Sequence, residues 1–337
     1  MLTKLLIGNS ASLAVQRALG RRARVERSLI IDQKSIKNDV ELNGFREAHR
    51  RDGAALVRYF AWLEESLVSG KGVAETEAAN MLLEMREKQD DFRGLSFTTI
   101  SSTGPNGAII HYAPPEHGSP QIDPESLYLC DSGAHFTCGT TDVTRTLHFG
   151  TPTAEQKRCF TRVLQGHIAI DSIVFPQNTT GYVIDALARA PSWRDHLEYR
   201  HGTGHGVGHY LNVHEPPMGI GFRPVFNDTG LKSGMVISNE PGYYRDGEWG
   251  IRIENLEIVR PHTLESEPPN SSPFLCLEHI TLCPIQTKLV EVELLSPDER
   301  AWLNAYHDEV RGKIRPLLES QGDTRAVAWL DKECAHI

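Results

Sequence analysis

The stretch 131-DSGAHFTCGTTD-142 begins and ends on an aspartate, yet its flanks, SLYLC and VTRTLHF, have the apolar and β-branched texture of interior strands. An ionised Asp is rarely buried alone, because removing it from water costs on the order of several kcal/mol. Between the two acids the chain is small and polar, FTCGT, as expected of a hairpin tip. A midpoint at 136.5 makes residues whose numbers sum to 273 face each other, so the reading places Asp131 directly opposite Asp142. Their Cβ atoms would then lie roughly 4.5 to 5.5 Å apart on one face.

A second pair follows the same logic. In 239-NEPGYYRDGEWGIRIEN-255, Asp246 and Gly247 form a hairpin-turn signal between β-type runs, and Glu240 and Glu254 are equidistant from Gly247. Like charges directly opposed destabilise a sheet. Solvent exposure would excuse such pairs and a shared proton would serve one of them. Bound cations account for both at once. A ligand of another kind is expected from 201-HGTGHGVGHYLNVHE-215, where His201, His205, His209 and His214 stand among four glycines, which let backbone approach a crowded site.

Four carboxylates and one imidazole carry a formal charge of about −4, which two divalent ions neutralise. Oxygen-rich ligation with one nitrogen favours Mn²⁺, with Co²⁺ or Zn²⁺ as substitutes. Two such ions about 3.5 to 4 Å apart can hold a bridging water, acidify it and polarise a carbonyl, so hydrolysis is the chemistry expected.

The whole chain of 337 residues sets the bounds. With 39% hydrophobic and 23% charged residues it is an ordinary globular composition, long enough for one large domain or two smaller ones. A net charge of −9 argues against nucleic acid or an anionic membrane as the main partner. No apolar run approaches the roughly 20 residues of a membrane helix, which makes a soluble protein the expectation. Six cysteines without a CxxC pair read as free thiols in a reducing compartment, Cys130 and Cys138 included. The first 25 residues hold Lys4, Arg17, Arg21, Arg22 and Arg24 and no acid, the profile of a transit peptide. The alternative is a short strand, KLLIG, then a small helix capped by Ser10 or Ser12 and stopped at Gly20.

Helical spacing of Leu42, Phe45, Leu56, Tyr59, Phe60 and Leu63 predicts a helix over about 39–69, and a second pattern lies near 74–90. Short β-rich runs continue from FTTISSTGPNGAIIHYAPP to about HFGTP. Helices are expected again over 153–174 and 181–190, strands and turns over 200–295, and a closing helix from Ser296 and Pro297 to about Leu318. This order is α+β, helices against a sheet, with room for two similar halves but no clear internal repeat.

The ordered series IIHY, DSG, TTDVTRT, HGTGHGVG, NVHE, NEPGYY and GIRIEN closely resembles the pita-bread metallopeptidases, and within them the eukaryotic cytosolic aminopeptidase P group. The likeness covers about residues 37–315. It implies two pseudo-symmetric α/β halves with a curved antiparallel sheet and helices on its outer face. It further implies that Asp131 binds one metal, that His205 and Glu240 bind the other, and that Asp142 and Glu254 bridge both. His111 and His214 would face the substrate and steady the scissile carbonyl, His201 would be a further substrate-site histidine, and Arg252 would orient carboxylates. Glu240 is the implied proton shuttle when a hydroxide bridging two Mn²⁺ ions attacks the carbonyl before proline, releasing the first residue of an Xaa-Pro peptide. A prolidase-like dipeptidase and a truncated, catalytically inactive binding protein are the alternatives. Such proteins are usually longer, so residues 1–36 read as the remnant of a preceding non-catalytic domain, 37–295 as the catalytic domain and 296–337 as a helical extension. A homodimer stays open. Asn239 departs from the pattern, since an acid often stands there.

Overall fold

In the computed structural model the described residues are 4–264 and 272–337, so Met1–Thr3 of the transit-peptide reading lie outside them. The helix Asp39–Val68 starts at a reciprocal cap, Asn38 accepting from the Glu41 N–H and Glu41 from the Asn38 N–H. Its buried face includes Leu42, Phe45, Leu56, Tyr59, Phe60 and Leu63, as the spacing predicts. With the helix Glu75–Glu87 it packs on an antiparallel three-stranded sheet of Ile100–Thr103, Leu127–Ser132 and Val143–His148. The order then repeats. Helices Ala154–Asp171 and Gly181–Trp193 pack on a four-stranded sheet in the order Val236–Asn239, Asn255–His262, Phe274–His279, Phe175–Pro176. The class is α+β, with the helix–helix–sheet unit used twice.

The two units are joined along a seam. The Glu254 N–H donates to the Thr144 carbonyl at 3.2 Å, and Thr146 Oγ1 donates to the Arg252 carbonyl at 3.0 Å while accepting from the Arg252 N–H at 3.1 Å. Both acid-bearing segments therefore meet at the centre of the molecule.

One register differs from expectation. Asp131 pairs with Thr144, Ser132 with Val143, His135 with Thr140 and Phe136 with Gly139, all summing to 275 rather than 273. Phe136 is wholly buried against Phe92, at a ring separation of 6.0 Å, so it belongs to a strand and the tip shifts to Thr137–Cys138. Asp131 and Asp142 are consequently diagonal neighbours, not direct ones. A shift of two residues preserves the face, because side chains alternate with period two. The second hairpin keeps its expected register: Gly242 pairs with Arg252 and Arg245 with Trp249, about a Gly247 at φ +78°. The outer ladder, Asn239 with Asn255, continues the same count, which puts Glu240 and Glu254 across from each other.

At the start of the chain the strand Leu5–Gly8 and the helix Leu13–Leu19 form as the alternative reading has them, with Ser12 as cap and Gly20 as stop. The following charged segment is more structured than its composition suggests, holding a strand Ala23–Glu26 and a helix Leu29–Ser35. His111 is on no strand: the run after Thr103 turns through a short 3₁₀ helix, Gly104–Ala108, and leaves His111 exposed on the turn that follows. The closing helix Pro297–Ser320 is followed by an unanticipated one, Thr324–Glu333, capped by Asp323. Both share the main core with the long first helix, and Trp329 stacks on Phe60 with ring centroids 5.9 Å apart. All six cysteines are unpaired.

Candidate metal centre

The seam gathers carboxylates. Oxygens of Asp131, Asp142 and Glu254 lie within 4.8 Å of one another, and so do the donor atoms of His205, Glu240 and Glu254. A third group of the same tightness joins Asp142 with His205 and His214. Asp142 and Glu254 each belong to two groups and are the most buried, at 4% and 1% exposure. The His205 ring nitrogen Nδ1 donates to the Gly206 carbonyl at 3.0 Å, which fixes the tautomer and leaves the Nε2 lone pair 3.4 Å from both Asp142 Oδ2 and Glu240 Oε1. Glu240 accepts from Ser238 Oγ at 3.0 Å, and Glu254 from Thr144 Oγ1 at 2.7 Å.

Arg252 organises one side. Its Nη2 donates to Asp131 Oδ2 at 2.6 Å, its Nε to Thr144 Oγ1 at 3.1 Å, and its Nη1 to the Tyr244 hydroxyl at 2.7 Å. A guanidinium can only donate, so the tyrosine oxygen accepts there and its own proton is left for His201 Nε2, 2.9 Å away. His201 Nδ1 in turn donates to the Gly202 carbonyl at 2.7 Å. Burial, and then the charge of Arg252, lower the His201 pKa to about 3, so it is a neutral ring with both nitrogens engaged inside the protein.

Electrostatics leave this arrangement short of positive charge. Burial first, and then the facing acids, push Asp142 and Glu254 well above the usual carboxylate range. Burial also raises Glu240. Asp131 Oδ1 is buried with no hydrogen-bond donor. Four converging carboxylates, one arginine, an unpartnered buried carboxylate oxygen and an imidazole with its lone pair turned inward make a donor set that fits divalent cations.

The pocket above the acids has a volume of about 440 Å³ and is walled by Phe97, Ile100, Ile110 and Val213. His111, His201 and His214 all line it, the His214 ring 4.0 Å from that of His205. His209 is not brought there; it packs edge-on against Phe45 at 5.6 Å. Sequence reasoning missed Thr144, Ser238 and Tyr244. Two of them carried a period-two signal, Thr144 two residues after Asp142 and Ser238 two before Glu240, which puts each hydroxyl on the face of a neighbouring acid.

The chain belongs to metallopeptidase family M24, whose profile matches residues 43–261, and the C-terminal region of that peptidase family matches 273–337. It is 58% identical to a probable Xaa-Pro aminopeptidase P of Laccaria bicolor, over 99% of this chain and 52% of that protein. A probable Xaa-Pro aminopeptidase P of Coprinopsis cinerea is 56% identical, over 99% and 54% respectively. The crystal structure of an X-prolyl aminopeptidase from Caenorhabditis elegans, described as a cytosolic enzyme with a di-nuclear active site, superposes with a TM-score of 0.93 at 40% identity, covering 99% of this chain and 54% of the other. An Xaa-Pro dipeptidase from Bacillus anthracis is less similar, with a TM-score of 0.68 at 27% identity over 84% and 74% of the two chains. This chain thus spans about half the length of the curated relatives it matches. Among the described residues no helix is long and apolar enough to cross a membrane.

Proposed function

We propose that this chain is the catalytic part of a dinuclear-metal Xaa-Pro aminopeptidase acting on proline-containing peptides in the cytoplasm. The observation that carries the reading is the pair of overlapping donor groups sharing Glu254, Asp131/Asp142/Glu254 and His205/Glu240/Glu254, with Asp142 also adjoining His205. Asp131 would hold one ion, His205 and Glu240 the other, with Asp142 and Glu254 between them. Mn²⁺ suits the oxygen-rich set, and Co²⁺ or Zn²⁺ would substitute. When bound, two divalent ions supply the Lewis acidity that acidifies water and polarises a carbonyl. Residues 37–295 make up the proposed catalytic unit, with 1–36 a preceding segment and 296–337 a helical extension packed into the same core.

The chain's own residues do the rest. Arg252 and Thr144 hold the carboxylates of Asp131 and Glu254 in fixed directions. Glu240, steadied by Ser238, would move a proton between water and the leaving nitrogen. His111 and His214 line the pocket where a substrate carbonyl would lie, and His201, kept neutral, walls it beside Tyr244. An Xaa-Pro bond is a tertiary amide without an N–H, so an apolar wall such as Phe97, Ile100, Ile110 and Val213 suits the pyrrolidine ring. The test is incubation of Mn²⁺-loaded protein with an Arg-Pro-Pro peptide. Release of the amino-terminal residue, faster than from an Xaa-Pro dipeptide, is expected. With two ions confirmed bound, no release would overturn the activity, and a preference for the dipeptide would overturn the substrate class.

A further inference from the structure

The diagonal placement of Asp131 and Asp142 raises a question of restraint. The strand ladder is interrupted at Gly133 on one side and at Thr141–Asp142 on the other, so Asp142 sits in a gap between two short sheets. Two carboxylates that must share a cation repel each other until it binds. Across the gap the ladder keeps one backbone bond, from the Thr141 N–H to the Ala134 carbonyl at 2.8 Å, and side chains add to it.

Strand alternation shows where to look. Ser132 follows Asp131 and Thr141 precedes Asp142, so both turn away from the acids toward the helices Asp39–Val68 and Glu75–Glu87. There Asp52 and Arg86, only 2% and 0% exposed, form a two-pronged ion pair: Nε to Oδ1 at 2.7 Å and Nη2 to Oδ2 at 3.0 Å. The same Nη2 donates to Ser132 Oγ at 3.1 Å, and Thr141 Oγ1 donates to Asp52 Oδ2 at 2.9 Å. Thr141 Oγ1 also accepts from the Ala134 N–H at 3.0 Å, across the interruption. The result is a closed link, Ser132 to Arg86 to Asp52 to Thr141, each end one residue from an acid of the site.

We infer that Asp52 and Arg86 are positioning residues that set the separation of Asp131 and Asp142 from the opposite face of the sheet, so that the two carboxylates can share one ion. This rests on the proposed reading of those aspartates as metal ligands. A buried ion pair is a poor stabiliser compared with an apolar pair of the same size, because desolvation offsets most of its Coulomb attraction. Its value here is direction. Arg86 Nη2 and Asp52 Oδ2, which meet each other in the pair, each also bond a hydroxyl beside the site, Ser132 and Thr141 respectively, and outer partners of this kind typically alter metal affinity about 10–100-fold.

The inference is tested by titrating the full chain, stripped of metal, with Mn²⁺ in a calorimeter, alongside urea unfolding of the metal-free protein. Thr141→Val removes the link and leaves the ion pair; Asp52→Leu with Arg86→Met replaces the pair by an apolar one of similar volume. Both are expected to weaken Mn²⁺ binding about 10–100-fold, while Thr141→Ser restores it. The double variant guards against misfolding, since it leaves no unpaired buried charge. Wild-type Mn²⁺ affinity in Thr141→Val and in the double variant, with or without a change in unfolding, overturns the inference and leaves the metal reading intact. Failure of the wild-type chain itself to bind Mn²⁺ overturns the reading of Asp131 and Asp142 as ligands, and the inference with it.

Discussion

At the scale of single residues, the acids show what a sequence can disclose. Glu240 and Glu254 can be read as opposite each other because Asp246–Gly247 marks a turn whose geometry only a few residues accept, and Gly247 has the positive φ that such a turn demands. Strand alternation gives Asp131 and Asp142 the right face, but composition gives the wrong register, because the pull of the core on Phe136 is a tertiary effect that local composition does not carry. Long-range partners were illegible for the same reason: nothing local to Tyr244 says that its hydroxyl joins Arg252 to His201. Asp142→Ala is expected to abolish peptidase activity and to lower the Mn²⁺ stoichiometry together, because it removes a carboxylate that belongs to two donor groups. Elemental analysis checks it, and two ions per chain in the variant would contradict the assignment. Tyr244→Phe leaves every donor in place, so stoichiometry should stay at two. The hydrogen bonds lost to Arg252 and His201 are worth about 1.5–3 kcal/mol when one partner is charged, so kcat should fall roughly tenfold or more with a smaller change in KM.

Elements are held by contacts that a helical pattern conceals. Gly44 and Gly53 lie inside the first long helix, where glycine costs about 1 kcal/mol relative to alanine. A Cβ on Gly44 would come within 2.1 Å of the Cys138 carbonyl oxygen, and one on Gly53 within 2.4 Å of the Leu282 carbonyl oxygen. The helix thus touches backbone at both points, and at Gly44 that backbone is the tip of the Asp131–Asp142 hairpin. Gly44→Ala is expected to destabilise the chain by about 1–3 kcal/mol despite the better helix former, read as a lower urea midpoint.

A second contact between elements gives a pH dependence. His279, on the strand Phe274–His279, lies between Asp171 at 2.8 Å and Glu309 at 3.1 Å, each on a different helix. Burial opposes its charge, but the two carboxylates outweigh burial and raise its pKa from 6.5 to about 10. The His279 hydrogen bond in turn brings Glu309 down to about 2. A raised histidine contributes stability that is fully present below about pH 6.5 and is lost as pH rises through about 10. A depressed glutamate contributes stability present above its ordinary 4.5 and lost as pH falls through about 2. His279→Gln should therefore lower stability by about 1–3 kcal/mol near pH 6, with the difference shrinking toward zero above about pH 10. Unfolding curves of the two proteins at pH 6, 8 and 10 decide it, and a gap that is constant with pH would count against this role.

For the molecule as a whole, the closing helices pass for an appendage in sequence and are core in structure. Leu303, Tyr306, Val310, Ile314 and Leu318 of one, with Ala326, Trp329 and Leu330 of the other, belong to the same buried cluster as Tyr59, Phe60 and Leu63 of the first long helix. Tyr306 also reaches toward the seam: its hydroxyl donates to the Cys283 carbonyl at 2.8 Å and accepts from Arg145 Nη2 at 2.7 Å. Arg145 Nη1 meanwhile donates to the Glu254 carbonyl at 2.7 Å. A single path of contacts therefore runs from the last helices to the backbone of a proposed bridging carboxylate. Ending the chain at residue 295 would expose the apolar faces of Phe60 and Leu63 and remove the acceptor that Arg145 finds in Tyr306. Burial of a large apolar side chain is worth about 1.5–3 kcal/mol, and seven are lost at once, with Ala326 besides, against a total stability of about 5–15 kcal/mol. The shortened chain is expected to show no cooperative urea transition by circular dichroism and no Mn²⁺ binding. A folded, metal-binding 1–295 fragment would show instead that the catalytic core is complete without them.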